Sequence, residues 1–133
     1  MKLTTKSEYS ILALIFIARK PAGEYTKIGE ICRESGISKK YLEQLFTILK
    51  QSRYVKTKRG AEGGYMLAKM PSKITLAEVI RLMDGALAPT ESVSKYFFSH
   101  TPLEKEKKVL GVLRDIRDYA SRRLEETKLS DVI

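Results

Sequence analysis

Residues 36–46 read GISKKYLEQLF, and this stretch decides the fold. Gly36 can end one helix, because glycine adopts the left-handed conformation that helix ends often require. Ser38 follows two residues later and is a favoured N-cap for the next helix. The apolar residues after it are spaced at i, i+3, i+4 and i+7, so they share one helical face: Leu42, Leu45, Phe46 and Leu49. The stretch therefore predicts a tight turn followed by a helix with one buried side.

A shorter helix is predicted immediately before this turn. Thr26 can cap it, and its apolar residues fall on one face at i, i+3 and i+4: Ile28, Ile31 and Cys32. Ile37, inside the turn, is placed to fill the space between the two helices. A short helix, a glycine-containing turn and a further helix form the helix-turn-helix arrangement.

The pattern changes from helical to extended after Gln51. Residues 54–58 (YVKTK) alternate apolar or β-branched with charged side chains, and residues 65–68 (YMLA) predict a returning strand. The glycine-rich stretch 59–65 (RGAEGGY) overlaps the turn between them. It is not a nucleotide-binding P-loop, because that motif ends in GK[ST] and is followed by a helix. A hairpin after a helix-turn-helix predicts a winged helix.

Three capping-box patterns mark helix starts in the rest of the chain. Residues 5–8 (TKSE) open a first helix over about 5–20, and residues 75–78 (TLAE) open a helix that Gly85 ends. Residues 101–104 (TPLE) open a long helix to about Thr127.

We expect one compact domain, mainly α-helical with a small β-hairpin. Its parts are a winged helix-turn-helix region (1–85, with the wing at 54–68), a loop (86–101), and a long helix with an apolar tail that docks back (102–133).

Charge predicts a polyanionic partner. The chain of 133 residues has a net charge of +9 and a pI near 9.7. Residues 37–60 hold seven basic residues and one acidic residue, Glu43, so the charge is concentrated on the predicted helix-turn-helix and hairpin. Nucleic acid is the first candidate and an anionic membrane surface the second. No apolar run is long enough to span a membrane and no signal peptide is recognised, so we expect a cytoplasmic protein.

The residues that catalysis or metal binding would need are scarce. The chain has one histidine, His100, and one cysteine, Cys32, and no His/Cys/Asp/Glu group has metal-ligand spacing. We expect no enzymatic activity, no catalytic residue, no metal and no cofactor. Cys32 is a candidate redox switch if oxidants reach it, and an inert core thiol if it is buried.

The predicted helix after Ser38 has the division of sides expected of a recognition helix. Gln44 can bond adenine in a bidentate way, and Glu43 can accept from the cytosine amino group. Tyr41 can contact a phosphate or a thymine methyl, or be simply half-buried. We assign DNA contacts on this helix to Ser38, Lys39, Lys40, Tyr41, Glu43, Gln44, Thr47 and Lys50, with Ser38, Lys39 and Lys40 on phosphates.

Three stretches together resemble the Rrf2 family of bacterial transcription regulators: residues 1–9 (MKLTTKSEY), 36–46 (GISKKYLEQLF) and 59–67 (RGAEGGYML). The resemblance implies a homodimer on palindromic double-stranded DNA, with Arg59 of the wing in the minor groove. We also assign DNA contacts in the wing to Lys58 and Gly60. The resemblance also implies that the long C-terminal helix crosses its partner. The apolar stripe assigned to that contact is Val109, Val112, Leu113, Ile116, Tyr119, Ala120 and Leu124.

The sequence departs from the family pattern in two places. Cluster-binding members carry three cysteines before the dimerisation helix, whereas residues 86–102 (ALAPTESVSKYFFSHTP) contain none. The resemblance is therefore to the cluster-free, CymR-like branch, without an iron–sulfur cluster. Glu62 in the wing is the second departure, because a carboxylate near phosphates is unfavourable unless it points away or pairs with Lys58.

The expected function is a homodimeric, sequence-specific repressor that binds DNA. The alternative is an adaptor whose dimer face or aromatic patch at residues 96–98 (YFF) binds a protein partner, with DNA secondary. We expect those aromatics to pack under the dimerisation helix instead. A protein or small-molecule effector and its signal are left open, as are the target genes.

Overall fold

The computed structural model describes residues 1–96 and 98–133, and it has the predicted fold class: helices with one small antiparallel hairpin. Among these residues the helices and strands are α1 (Thr5–Ala18), α2 (Ile28–Ser35), α3 (Lys39–Gln51), β1 (Val55–Lys58), β2 (Gly64–Leu67), α4 (Leu76–Asp84) and α5 (Lys107–Glu126). Short 3-10 turns lie at Pro71–Lys73, Glu91–Val93, Pro102–Lys105 and Leu129–Asp131.

The main core forms where α1 packs against the helix-turn-helix. Leu14 of α1 is fully buried together with Ile31 of α2 and the predicted apolar face of α3. Ile37 is only 6% exposed, so it fills the space between α2 and α3 as its position in the turn predicts. Burial of each such side chain contributes about 1.5–3 kcal/mol, and this fixes the orientation of α3 on the rest of the domain.

The turn between α2 and α3 is built as the sequence predicts. Gly36 ends α2 with a left-handed φ of 74°, and the Ser38 hydroxyl caps α3 by accepting from the Tyr41 amide at 3.3 Å. The prediction for Thr26 is wrong, since Lys27 is the N-cap of α2 and makes no side-chain cap. Thr26 instead pairs with Tyr65 of β2 in an isolated antiparallel bridge.

Of the three predicted capping boxes, one forms. Thr75 caps α4 by accepting from the Glu78 amide at 3.2 Å, while the Glu78 carboxylate accepts from the Thr75 amide at 2.7 Å. The box predicted at residues 5–8 is wrong, because Thr4 is the N-cap of α1 and its side chain bonds to Asp84. Helix α1 also ends at Ala18, before the predicted residue 20.

Asp84 ties the start of α1 to the end of α4. Its carboxylate accepts from the Thr4 amide at 2.9 Å and from the Ser7 hydroxyl at 2.7 Å. Burial raises the pKa of Asp84, but the hydrogen bonds from Thr4 and Ser7 outweigh it, so the pKa lies below its ordinary value. The carboxylate is therefore ionised at neutral pH and holds the two helix ends together.

The segment before α5 differs from its prediction. The third capping box is wrong: Pro102–Lys105 is a 3-10 turn without a side-chain cap, and α5 begins at Lys107. The region predicted as a loop packs part of its length, since Leu87, Ala88 and Val93 are buried. Leu103 joins the cluster of Ala88 and Val93, so this contact with the core replaces a direct helix start.

The C-terminal tail packs back onto the domain, as predicted. Leu129 is 1% exposed, and its amide donates to the Ile74 carbonyl at 2.8 Å. A bridge between Thr75 and Lys128 extends this contact. Helix α5 is thereby held at its carboxyl end beside the start of α4. None of the described helices combines the length and the apolar content that crossing a lipid bilayer requires.

Candidate nucleic-acid interface

Helix α3 presents a polar face to solvent. Its buried residues anchor one side, and the side chains predicted to contact DNA lie on the other, all of them exposed: Lys39, Lys40, Glu43, Gln44, Thr47 and Lys50. The Thr47 hydroxyl donates to the Glu43 carbonyl at 2.8 Å, so its donor is used within the helix. The Ser38 hydroxyl accepts a bond as the cap and keeps its proton for an outside acceptor.

Tyr41 is half-buried beside Tyr9 of α1. Tyr9 lies outside α3, so the pattern of the recognition helix does not predict it. The rings of Tyr41 and Tyr9 meet edge to face, with centroids 5.6 Å apart. A shallow cleft at this contact is also lined by Thr5 and Ser38. Thr5 and Tyr9 are therefore additional candidates for contacts with the DNA phosphate backbone. The only sequence signal for them is their place in the stretch 1–9 (MKLTTKSEY).

The wing is a hairpin of two four-residue strands, and its geometry requires glycine at two positions. Strand β1 pairs with β2 in the register Val55 with Leu67 and Lys58 with Gly64. A Cβ on Gly63 would lie 2.1 Å from the Lys58 carbonyl oxygen, and a Cβ on Gly64 would lie 2.3 Å from the Thr26 oxygen. The turn therefore brings backbone against backbone. It leaves Lys58, Arg59 and Gly60 exposed, as predicted for groove contacts.

Tyr65 connects the wing to the recognition helix. Its backbone exchanges two hydrogen bonds of 2.8 Å with Thr26, and its ring stacks on Phe46 of α3, with centroids 4.1 Å apart. Burial, followed by the nearby Glu43 carboxylate, raises the pKa of Tyr65, so its hydroxyl stays protonated. These contacts fix the wing relative to α3. A groove of about 340 Å³ runs between them, lined in part by Lys50, Lys58 and Arg59.

Among the residues that the structure describes, no ion pair neutralises the cations of this surface. The ion pairs among the described residues join Lys20 to Glu30, Arg81 to Glu125, His100 to Glu104 and Arg117 to Asp118, so none involves α3 or the wing. Lys58 extends its ammonium over the Tyr25 ring at 5.8 Å instead of pairing with Glu62. Glu62 is exposed at the wing tip, so the pairing considered for Lys58 does not occur in this structure.

The predicted apolar stripe of α5 has a half-buried edge and an exposed edge. Leu113 and Leu124 are half-buried against the protein's own core, and Ala120 is half-buried too. The remaining members point to solvent, with exposed fractions of 44% for Val109, 59% for Val112, 50% for Ile116 and 61% for Tyr119. The seven residues still form one continuous stripe along the helix, of which one edge packs inward and the other faces solvent. The outward set is spaced at i, i+3, i+7 and i+10, the spacing of a coiled-coil seam.

Aromatic residues before α5 are exposed, and the prediction that they pack under the helix is wrong for Tyr96 and Phe98 within one protomer. Their exposed fractions are 69% and 53%. The Arg81 guanidinium lies over the Tyr96 ring at 4.8 Å, and Phe98 meets His100 edge to face at 4.9 Å. Phe97, the middle residue of the predicted patch, lies outside the described residues.

The described residues do not fit an iron–sulfur cluster or a metal ion. They contain no group of three or more His, Cys, Asp or Glu side chains placed to hold a metal. Cys32 is half-buried against the main core, and His100 pairs with Glu104 through its Nδ1 at 2.8 Å.

A helix-turn-helix with an exposed polar helix, followed by a basic wing fixed to it, defines a winged-helix transcription regulator. The Rrf2 family model, described as an iron-dependent transcriptional regulator, matches residues 3–133. The chain belongs to the Rrf2 family.

Individual relatives agree with that assignment. The chain is 33% identical to the HTH-type transcriptional regulator CymR of Bacillus subtilis over 132 residues, which is 99% of this chain and 89% of that protein. It is similar to the structure of CymR (YrzC), the global cysteine regulator of B. subtilis, with a TM-score of 0.80, 31% identity and coverage of 99% and 95% of the two chains. It is also similar to T. potens IscR, with a TM-score of 0.71, 29% identity and coverage of 99% and 85%.

Proposed function

We propose that this protein is a homodimeric repressor that binds a palindromic DNA site through α3 and the wing, without an iron–sulfur cluster. The observation that carries the proposal is the fixed geometry of the two elements. Tyr65 joins the wing to Phe46 of α3 and to Thr26, while the cations on both elements are exposed and unpaired among the described residues. Such a surface matches the charge and the grooves of a duplex.

Helix α3 reads bases in the major groove with its first two turns. Gln44 and Glu43 stand on its exposed face, where an amide can bond adenine and a carboxylate can accept from cytosine. Ser38, Lys39 and Lys40 lie at the amino end, where the exposed amides and positive end of the helix also favour a phosphate. These contacts set the register of the protein, and Gln44 supplies the base preference.

The wing places Arg59 in the adjacent minor groove. A narrow minor groove has an enhanced negative potential that attracts a guanidinium. The wing tip is narrow, because Gly60 carries no side chain and Gly63 is packed against the Lys58 carbonyl. Since Tyr65 is stacked on Phe46, the distance from the wing to α3 is set before DNA binds, which lowers the entropic cost of binding.

Two copies associate through α5. Val109, Val112, Ile116 and Tyr119 form an exposed apolar seam with heptad spacing, and a matching seam on a second copy would cover it. A two-fold dimer presents two recognition helices to two half-sites related by the same symmetry, so the site is palindromic. A dimer held on such a site in the cytoplasm excludes other proteins from that DNA, which is repression.

The donor set supports the proposed cluster-free state. The sequence has one cysteine, Cys32. Its thiol lies on α2, which packs against α1 and α3, so it is not in the segment before α5. The relatives include both CymR and IscR, and the absence of cysteine from residues 86–102 favours the CymR-like branch.

An adaptor function is the second candidate, favoured by the exposed rings of Tyr96 and Phe98. On that account the segment before α5 binds a protein partner, and DNA binding is secondary. Capture of a partner from native extract that survives DNA digestion and is lost in Tyr96→Ser would support it. Capture that depends on DNA would support the regulator instead.

Selection of bound duplexes from a random-sequence pool tests the proposed function. We expect enrichment of an inverted repeat whose half-sites are centred about 10 base pairs, or a multiple of that, apart. Light scattering should give the mass of a dimer, and affinity should fall steeply with salt. A pool that stays random after repeated rounds would contradict sequence-specific binding, and a monomeric mass would contradict the dimer.

A further inference from the structure

A second basic groove continues from the groove between α3 and the wing. It has a volume of about 660 Å³ and lies between the end of α3 and β1. Four cations line it, Lys50, Arg53, Lys56 and Lys69, and no acidic side chain does. Lys50 and Thr57 line both grooves, so the two form one continuous surface. We call this second part the outer groove.

The charges of the outer groove are not neutralised by ion pairs within the described part of the chain. Its four cations are exposed, and none forms an ion pair with another described residue. The sequence has no Asp or Glu between Glu43 and Glu62. The Lys69 ammonium is held over the Tyr54 ring at 4.5 Å, which orients it without neutralising it. Cations gathered in this way repel one another unless a polyanion lies among them.

Arg53 occupies a backbone position that favours glycine. The chain leaves α3 through a Schellman motif, in which the Tyr54 amide donates to the Leu49 carbonyl at 2.8 Å and the Arg53 amide donates to the Lys50 carbonyl at 3.0 Å. Arg53 is the left-handed residue of this motif, with φ of 64°, and no other non-glycine residue described has a positive φ. Glycine or asparagine would adopt this conformation at lower cost, and a contact of the guanidinium with a ligand would offset that cost.

A cation at a helix end also interacts favourably with the carbonyl groups there, which is the purely structural explanation of Arg53. That explanation does not cover Lys56 and Lys69, which lie outside α3 and line the same groove. It also predicts an effect on stability alone. DNA contact predicts an effect on binding with little or no loss of stability.

We propose that the outer groove binds the phosphate backbone of double-stranded DNA beyond the half-site that α3 reads. This inference rests on the proposed function and extends it, because it makes the footprint of each protomer longer than the bases it recognises. Lys50 lies at the boundary of the two grooves, and Arg53, Lys56 and Lys69 continue the contact outward. Phosphate contacts of this kind add affinity without sequence preference.

The salt dependence of binding to a random-sequence duplex of about 40 base pairs tests the contact. A plot of log K against log salt falls with salt, and the variant Arg53→Gly/Lys56→Gln/Lys69→Gln should make this fall less steep. The slope should decrease in magnitude by about 0.9 for each phosphate that a bound protomer no longer neutralises. The matched control is Lys95→Gln/Lys105→Gln/Lys107→Gln, which removes the same charge from exposed positions outside the groove. An equal slope change in both variants, or no change in the first, would overturn the inference.

Arg53→Gly alone separates DNA contact from folding. Its thermal midpoint should be unchanged or higher, since glycine relieves the backbone strain, while its salt slope should still fall. A lower midpoint with an unchanged slope would assign Arg53 to the helix end only.

Flank length locates the contact. On a selected site with flanks of about 10 base pairs on each side, the triple variant should bind more weakly than the native protein. With flanks of about 2 base pairs the two proteins should bind alike. An equal reduction in affinity on both duplexes would place the phosphates inside the site and refute the outer position. A native protein that selects no sequence, together with the slope change in the triple variant, would refute the proposed function and leave the phosphate contact supported.

Discussion

Replacing Gly64 by alanine should detach the wing from the rest of the domain. Gly64 has φ of +145°, and an added Cβ would lie 2.3 Å from the Thr26 oxygen and 2.6 Å from its carbonyl carbon. Both atoms belong to the backbone, so the clash can be relieved only by separating the two chain segments. The two hydrogen bonds of 2.8 Å between Thr26 and Tyr65 would then break.

The cost has two parts that can be separated. Forcing alanine into a sparsely populated conformation costs about 1–3 kcal/mol. Loss of two backbone hydrogen bonds adds about 1 kcal/mol each. The sum is about 3–5 kcal/mol. This is a large part of the free energy of unfolding of a typical domain, which is about 5–15 kcal/mol. Because Arg59 is then no longer held at a fixed distance from α3, affinity for DNA should fall about tenfold or more even under conditions where the variant is folded.

Urea unfolding and fluorescence anisotropy with duplex DNA measure these two effects. For the unfolding measurement the matched control is Gly60→Ala, since Gly60 has φ of +102° and an added Cβ would meet no atom within 4 Å. Gly60 is itself a proposed DNA contact, so this variant is compared for stability only. It should cost only the conformational part, about 1–3 kcal/mol. Equal destabilisation by the two substitutions, or Gly64→Ala with native stability, would refute the steric reasoning.

Three further predictions concern the dimer, the wing tip and the thiol. Ile116→Glu should turn a dimer into a monomer in light scattering, because a charge replaces an apolar side chain at the centre of the seam. The control Lys108→Glu, on the same helix, should stay dimeric. A dimeric Ile116→Glu would exclude the α5 seam. Glu62→Gln should tighten DNA binding about twofold at low salt, since a carboxylate about 8 Å from a phosphate costs about 0.5 kcal/mol in water, and weaker binding would mean that Glu62 makes a favourable contact. Because Cys32 is half-buried against the core, mild peroxide should leave DNA binding unchanged; a loss of binding that Cys32→Ser abolishes would instead identify a redox switch.

Local patterns in the sequence predicted the fold where local contacts decide it. Gly36, Ser38 and Thr75 act within a few residues of their own positions, and the structure confirms all three. The alternation at residues 54–58 likewise predicted β1 to within one residue. Helix ends, turns and short hairpins follow rules of spacing that a sequence displays directly.

Predictions were wrong where a local group forms its hydrogen bond with a residue that is distant in the sequence. Thr4 and Ser7 bond to Asp84, about 80 positions away, so no pattern within the first helix could show it. Thr26 looked like a cap, but it is bonded to Tyr65 of the wing. In α5 the spacing of apolar residues did not say which face meets the protein's own core and which faces outward. That division depends on where Leu87 and Val93 pack, which is a tertiary contact.

The candidate site was predicted in part. The exposed face of α3 and the exposed wing tip are as expected, and their roles on DNA stay predictions. Tyr9 beside Tyr41 and the outer groove with Arg53 were not assigned, because each depends on elements that meet only in the folded chain. The strain at Arg53 is likewise a property of the backbone and has no sequence signature.

We propose that α3 reads bases, with Gln44 as a specificity contact and Lys40 as a phosphate contact. Mobility-shift titrations on the selected duplex and on its single-base variants test it most directly. Gln44→Ala should lose about 1–3 kcal/mol of preference at one base pair of each half-site, whereas Lys40→Ala should weaken binding to every duplex by a similar factor. Full retention of sequence preference by Gln44→Ala would contradict the assignment of α3 as the recognition helix.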